Sequence, residues 1–202
     1  MSSDARAYGD PDTRRRILFA TWEAIEEVGA DIRLRDVAER ARVSRQAVYL
    51  HFGDRANLLL ALVEFMPETL GFPKLLAHVF AAESGVEMLR RAVVLHSTYN
   101  AKIDSVARVL EAAQYQDTAL GAAWRDRMTR SRAAHRMIVQ RIAEEGRLTD
   151  GWTVEDAGDL FYTVTMQSPW RELTCELGWS PKQYARRMTK LLLDSFVTES
   201  QA

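Results

Sequence analysis

From residue 13 onward, apolar residues recur at spacings of three and four and nowhere alternate as a half-buried strand requires. Ile17, Ala20, Thr21, Ala24, Ile25 and Val28 share one face of a helix expected over 13–28, with Gly29 as its stop. Leu34, Val37, Ala38 and Ala41 mark a second, short helix, and Val43 follows at the turn. Ser44 is a good N-cap for a third helix, in which Ala47, Val48 and Phe52 face inward while Arg45, Gln46, Tyr49 and His51 project elsewhere. A fourth helix begins near Asp54 and carries Leu58, Leu59, Leu62, Val63 and Phe65 before Pro67 interrupts it.

Pro67, Gly71 and Pro73 then break the pattern, leaving KLLAHVFAA as a short helix. Ser84 with Glu87 forms a capping box for a helix to about Lys102, and Asp104 is expected to cap a shorter one to Tyr115. Asp117 opens a long helix ending at Gly146, with Leu120, Trp124, Met128, Ser131, His135, Ile138 and Ile142 on one face. Thr153 and Asp156 start another, expected to run to Gly178. Ser180, Pro181 and Gln183 supply an N-cap, an N1 proline and an N3 partner for the last helix. Its stripe is Tyr184, Met188, Leu191, Leu192 and Phe196.

The pattern predicts an all-α fold. A polar, mobile arm over 1–12 precedes a three-helix, helix-turn-helix domain over 13–55, and a larger helical domain fills 56–202. Few residues are left to the first domain for a core of its own, so the fourth helix is expected to serve both.

With 47% hydrophobic and 27% charged residues, the composition is that of a soluble globular chain. The formal net charge of -1 argues against a generic polyanion binder and makes any nucleic-acid site a local patch. Such a patch lies between Gly29 and Arg55, where Arg33, Arg35, Arg40, Arg42, Arg45 and Arg55 outnumber Asp31, Asp36, Glu39 and Asp54. Cys175 is the only cysteine, which suits a reducing compartment, and no apolar run is long enough to span a bilayer. The polar start lacks a secretory h-region, so a cytoplasmic location without membrane partners is expected. His51, His78, His96 and His135 form no metal-ligand spacing. No phosphate-cradling glycine loop or nucleophile elbow is found either, so neither cofactor, metal nor enzymatic activity is expected.

The stretch LRDVAERARVSRQAVYLHF carries the most information. A helix the size of its second half fits the DNA major groove, and Arg and Gln have paired donors and acceptors that match base edges. Spacing alone fits an ordinary helical hairpin equally well. The longer run from Arg15 to about Leu62, however, resembles the N-terminal domain of the tetracycline-repressor (TetR) family of bacterial transcriptional regulators. The signature residues are Val43, Ser44, Val48, Tyr49, His51, Phe52, Arg55 and Leu58.

The resemblance implies that Arg45 and Gln46 contact bases, while Ser44, Tyr49, His51 and Arg55 contact phosphates, with Arg33 as a further candidate. It also exposes a departure. The family usually has glycine in the turn, as AGVS, where this chain has ARVS with Arg42. Arg42 is therefore expected to hold a left-handed turn at a cost, to adopt another turn, or to add a phosphate contact.

For the remainder, the resemblance implies a small-molecule effector, a homodimer and a palindromic operator. The segment from Thr153 through the GWSPxxY junction at 178–184 resembles the C-terminal region of many family members. Its two flanking helices would pair with those of a partner through Leu160, Val164, Leu173, Tyr184, Met188, Leu191, Leu192 and Phe196. Candidate effector contacts are His96, Tyr99, Trp124, Met128, Phe161, Met166 and Trp170, whose types favour an apolar or aromatic ligand. The same side chains at helical spacing are equally the makings of a filled core, which would give a regulator of this fold without an inducer.

Overall fold

The computed structural model describes residues 10–198. Ten α-helices follow one another among them: α1 Pro11–Val28, α2 Leu34–Arg40, α3 Arg45–Phe52, α4 Arg55–Thr69, α5 Phe72–Phe80, α6 Gly85–Ala113, α7 Thr118–Glu144, α8 Val154–Thr165, α9 Gln167–Arg171 and α10 Pro181–Phe196. A 3₁₀ turn at Gly29–Asp31 and a π turn at Glu172–Glu176 complete the described elements. The only extended pairing among these residues is an isolated bridge between Leu148 and Val197. No described helix is long and apolar enough to cross a membrane. The chain divides into two compact units, Met1–Leu70 with Ser105–Arg125, and Gly71–Asp104 with Asp126–Ala202.

In the first unit, α1 starts two residues before the expected Thr13, because Asp10 accepts from the amides of Asp12 and Thr13. The arm expected over 1–12 therefore gives its last residues to a cap and a first turn, and residues 1–9 lie outside the described ones. Ile17, Leu18, Ala20, Thr21, Ala24 and Ile25 are buried, as are Val37 and Ala38 of α2, Ala47, Val48 and Phe52 of α3, and Leu58, Leu59 and Leu62 of α4; α2 and α4 each pack on α1 and on α3. Val28 is not on the inner face as expected but 54% exposed, since α1 ends beside it at Gly29. Pro67 does not interrupt α4. It stands in the last turn, where its missing amide costs one hydrogen bond and the helix closes after Thr69 in any case.

In the second unit Ser84 accepts from the Glu87 amide at 3.2 Å, but the Glu87 carboxylate, expected to complete the box, accepts from Arg91 Nε at 3.1 Å instead. A Cβ on Gly85 would lie 2.6 Å from the Ile142 backbone nitrogen, so the absence of a side chain lets α6 start against α7. Two expected boundaries differ. Asp104 does not cap a new helix, and α6 runs through it to Ala113. Its carboxylate accepts instead from Gln167 Nε2 at 2.9 Å and Arg171 Nε at 2.8 Å, so it has no amide to serve.

The helix expected from Thr153 to Gly178 is broken at Met166, whose ψ is 166°. Pro169 supplies the reason, because in a continuous helix its ring would strike the Thr165 carbonyl four residues back. With the break, Pro169 falls in the first turn of α9, and the freed Thr165 carbonyl accepts from Asn100 Nδ2 at 3.1 Å. Ser180 caps α10 through the Gln183 amide at 3.1 Å, and Tyr184, Met188, Leu192 and Phe196 are buried.

Candidate functional site

Helix α2 ends in a paired closure. The Val43 amide donates to the Ala38 carbonyl at 3.0 Å and the Arg42 amide to that of Glu39 at 3.1 Å, the two bonds of a Schellman motif. Arg42 occupies the left-handed position with φ 54°, so the turn is left-handed and not of another type. For a residue with a Cβ this costs about 1 kcal/mol. Two residues on, Ser44 Oγ accepts from the Ala47 amide at 3.0 Å and starts α3.

One face of α3 is buried through Ala47, Val48 and Phe52. The other presents Arg45, Gln46, Tyr49 and Leu50 to solvent, Tyr49 and Leu50 each 42% exposed. Arg45 lies over the Tyr49 ring at 5.5 Å and donates to its hydroxyl at 3.3 Å, which holds both side chains on this face. Leu50 escaped the sequence reading because an isolated apolar residue on a short helix is indistinguishable from core. His51 is half-buried, with Nε2 enclosed and without a partner among the described residues.

The arginines divide into two groups. Arg35 pairs with Asp36, Arg40 forks onto Glu27, and Arg55 donates to the Ala30 carbonyl at 2.9 Å. Arg14, which periodicity alone did not single out, stacks 4.6 Å from the Phe52 ring centroid and donates to the His51 carbonyl at 3.3 Å, tying α1 to the last turn of α3. Arg33 and Arg42 are exposed, with no side-chain hydrogen bond or ion pair among the described residues.

A second cluster lies within the other unit. His96 and His135 stack at 4.9 Å, and Phe161 meets His135 edge-on at 4.5 Å. His135 Nδ1 is 2.7 Å from the Ser131 carbonyl, so Nδ1 carries a proton and donates. Nε2, 2.9 Å from Thr165 Oγ1, accepts from that hydroxyl while the ring is neutral. Burial keeps it neutral, lowering His135 to about 4. Burial lowers His96 to about 3, with His135 and Arg127 acting in the same direction and a hydrogen bond to Asn100 opposing them.

Around the pair, Tyr99 packs on Phe72 at 4.5 Å and its hydroxyl accepts from Arg127 Nη2 at 3.5 Å. Trp170 Nε1 donates to the Ser97 carbonyl at 3.3 Å, and Gln167 Nε2 to that of Asn100 at 3.0 Å. Met128 and Met166 are half-buried in the same unit, whereas Trp124 belongs to the first. Asn100, Thr165 and Gln167, all buried, were missed from sequence. Asn100 lies one helical turn after His96, which was the only available signal.

Of the residues expected at a dimer interface, Leu160, Val164 and Leu173 are half-buried and Leu191 is 44% exposed. Tyr184, Leu192 and Phe196 are fully enclosed within the unit and Met188 is 8% exposed, so these four have almost no surface left for a partner. The Tyr184 hydroxyl donates to the Val164 carbonyl at 3.0 Å, and burial pushes its ionisation well up. On α7, Arg136 pairs with Glu155 and Asp159, and Arg132 also binds Asp159, holding that carboxyl down to about 2. Cys175, in the π turn, is exposed.

Residues 17–62 match the family model described as bacterial regulatory proteins, tetR family. No curated protein matches the chain in sequence. Among solved structures, the fold is similar to a transcriptional regulator from Saccharomonospora viridis in complex with choline. The two are 19% identical with a TM-score of 0.82, over 93% of this chain and 99% of that one. SmeT of Stenotrophomonas maltophilia, in complex with triclosan, has a TM-score of 0.74 at 17% identity, over 94% and 93% of the two chains. FadR from Bacillus subtilis with stearoyl-CoA has a TM-score of 0.73 at 16% identity, over 88% and 96%. At these identities the structural likeness speaks for the fold alone.

Proposed function

From the match of residues 17–62 to the tetR-family model, we propose that the chain is a TetR-family regulator, a cytoplasmic, ligand-responsive transcriptional repressor. It binds a palindromic operator as a homodimer, through a DNA-binding domain over 13–55 and an effector and dimerisation domain over 56–202. The observation that carries this reading is the outer face of α3, where Arg45, Gln46, Tyr49 and Leu50 stand exposed on a helix otherwise anchored in the core. Arg45 and Gln46 read base edges, and Leu50, one turn after Gln46, meets a thymine methyl. Ser44 and Tyr49 position the helix on phosphates, with His51, Arg33 and Arg55 beside them. Two-fold pairing through Leu160, Val164, Leu173 and Leu191, around the enclosed Tyr184, Met188, Leu192 and Phe196, would set two copies of α3 one DNA turn apart.

Fluorescence anisotropy against the DNA upstream of the gene, with a random duplex as reference, tests the reading. Gln46→Ala is expected to weaken operator binding by about 5- to 100-fold, the worth of one bidentate base contact, and to leave random-duplex binding unchanged. An equal effect on both duplexes, or none, would remove α3 from base reading.

The effector site is proposed within the second unit, among His96, Tyr99, Met128, Phe161, Met166 and Trp170. Neutral imidazoles among aromatic rings suit a small apolar or aromatic ligand. The unlike small molecules held by the solved relatives support an effector without naming it. A regulator without an inducer is the second reading. It is favoured by the internal partners already held by Asn100, Thr165, Gln167 and Trp170. Ligands that raise Tm and release DNA would decide for the first.

A further inference from the structure

Helices α2 and α7 close with the same pair of hydrogen bonds but with different residues at the left-handed position. At the end of α7 the Arg147 amide donates to the Ile142 carbonyl and the Gly146 amide to that of Ala143, with Gly146 at φ 67°. At the end of α2 the same place is held by Arg42 at φ 54°, while every other positive φ among the described residues belongs to a glycine. The internal bonding of the fold does not account for the exception. The Arg42 side chain is exposed without a partner among the described residues, whereas Arg35, Arg40 and Arg55 each have an acceptor within the unit. Its place is two residues ahead of Ser44, the cap of the helix that carries Arg45 and Gln46.

We infer that Arg42 is a phosphate anchor: its guanidinium engages the DNA backbone beside the start of α3, adding affinity that does not depend on base sequence at the expense of the stability of the turn. A residue strained in the folded chain and idle there is accounted for by what it does in a complex. The inference rests on the DNA-binding reading above. The competing account makes the charge of Arg42 a complement to the C-terminal dipole of α2, which would stabilise the fold and leave DNA binding untouched.

The test compares wild type with Arg42→Gly and Arg42→Lys in thermal unfolding and in DNA titrations over a fourfold range of salt. Arg42→Gly is expected to raise Tm by about 2–4 °C as the backbone strain is relieved. It should bind the operator and a random duplex more weakly by the same factor. Its plot of log K against log salt should be shallower by about 0.9 per bound protomer, so that the wild-type advantage shrinks about threefold across the range. Arg42→Lys restores the salt dependence but not the Tm. An unchanged salt slope in Arg42→Gly, or a loss confined to the operator, overturns the inference while wild-type binding keeps the DNA-binding reading intact. Wild type that binds no duplex at all would remove both.

Discussion

His135 is a buried side chain whose protonation state is tied to its neighbours. With Nδ1 donating to Ser131, its Nε2 needs the Thr165 hydroxyl as donor. The same hydroxyl lies 2.8 Å from the Phe161 carbonyl and has only one proton to give. Protonating His135 would turn that proton toward Phe161 and place a charge beside His96. The consequence for stability has a definite sign. The unfolded chain takes up the proton near pH 6.5 and the folded one only near 4, so this contribution is intact above pH 6.5 and is lost as pH falls toward 4. Urea unfolding at pH 7 and at pH 4.5 measures it. A His135→Gln variant is expected to lose about 2 kcal/mol less than wild type between those two conditions. Equal losses would mean that the ring is already charged or still solvated.

The meetings between elements depend on a few positions where a side chain is missing or a donor is spent. Gly85 is such a position, and Gly85→Ala is expected to destabilise the second unit by about 1–3 kcal/mol, because the added Cβ meets the α7 backbone at Ile142 as well as the Ile142 side chain. Gly146→Ala has nothing within 4 Å of the new atom and should cost only about 1 kcal/mol of backbone strain. The order of the two urea midpoints checks the argument. Helix starts were legible in the sequence because caps are local: Ser44, Ser84, Thr153 and Ser180 each accept from the amide three residues on. Interruptions were less so. Asp104 looks like a cap until Gln167 and Arg171, more than sixty residues away, claim its carboxylate. Pro67 and Pro169 carry the same local signal but have different outcomes, set by their distance from the helix end. The exposed face of α3 was legible because Arg45, Gln46 and Tyr49 flank the apolar Ala47 and Val48 at helical spacing. The hydrogen bonds around His135 were not, since Asn100 and Thr165 meet only after folding.

At the scale of the whole molecule, a formal charge of -1 means that DNA is not drawn to the protein in general. Of the six arginines between Gly29 and Arg55, only Arg33, Arg42 and Arg45 are left without an acceptor carboxylate or carbonyl. Binding to a random duplex should therefore show a salt slope of about -3 per protomer from these three, or about -4 if Arg55 leaves the Ala30 carbonyl for a phosphate, and a much steeper one would mean that Arg35 and Arg40 also change partners on DNA. The turn at Arg42 also has a genetic consequence. Every arginine codon lies one base from a glycine codon, so the change that would relax this backbone is always a single mutation away. A mutant library screened only for heat resistance should accumulate glycine at position 42, whereas one screened for operator occupancy should return to arginine. The position thus records which of the two demands the lineage has had to meet.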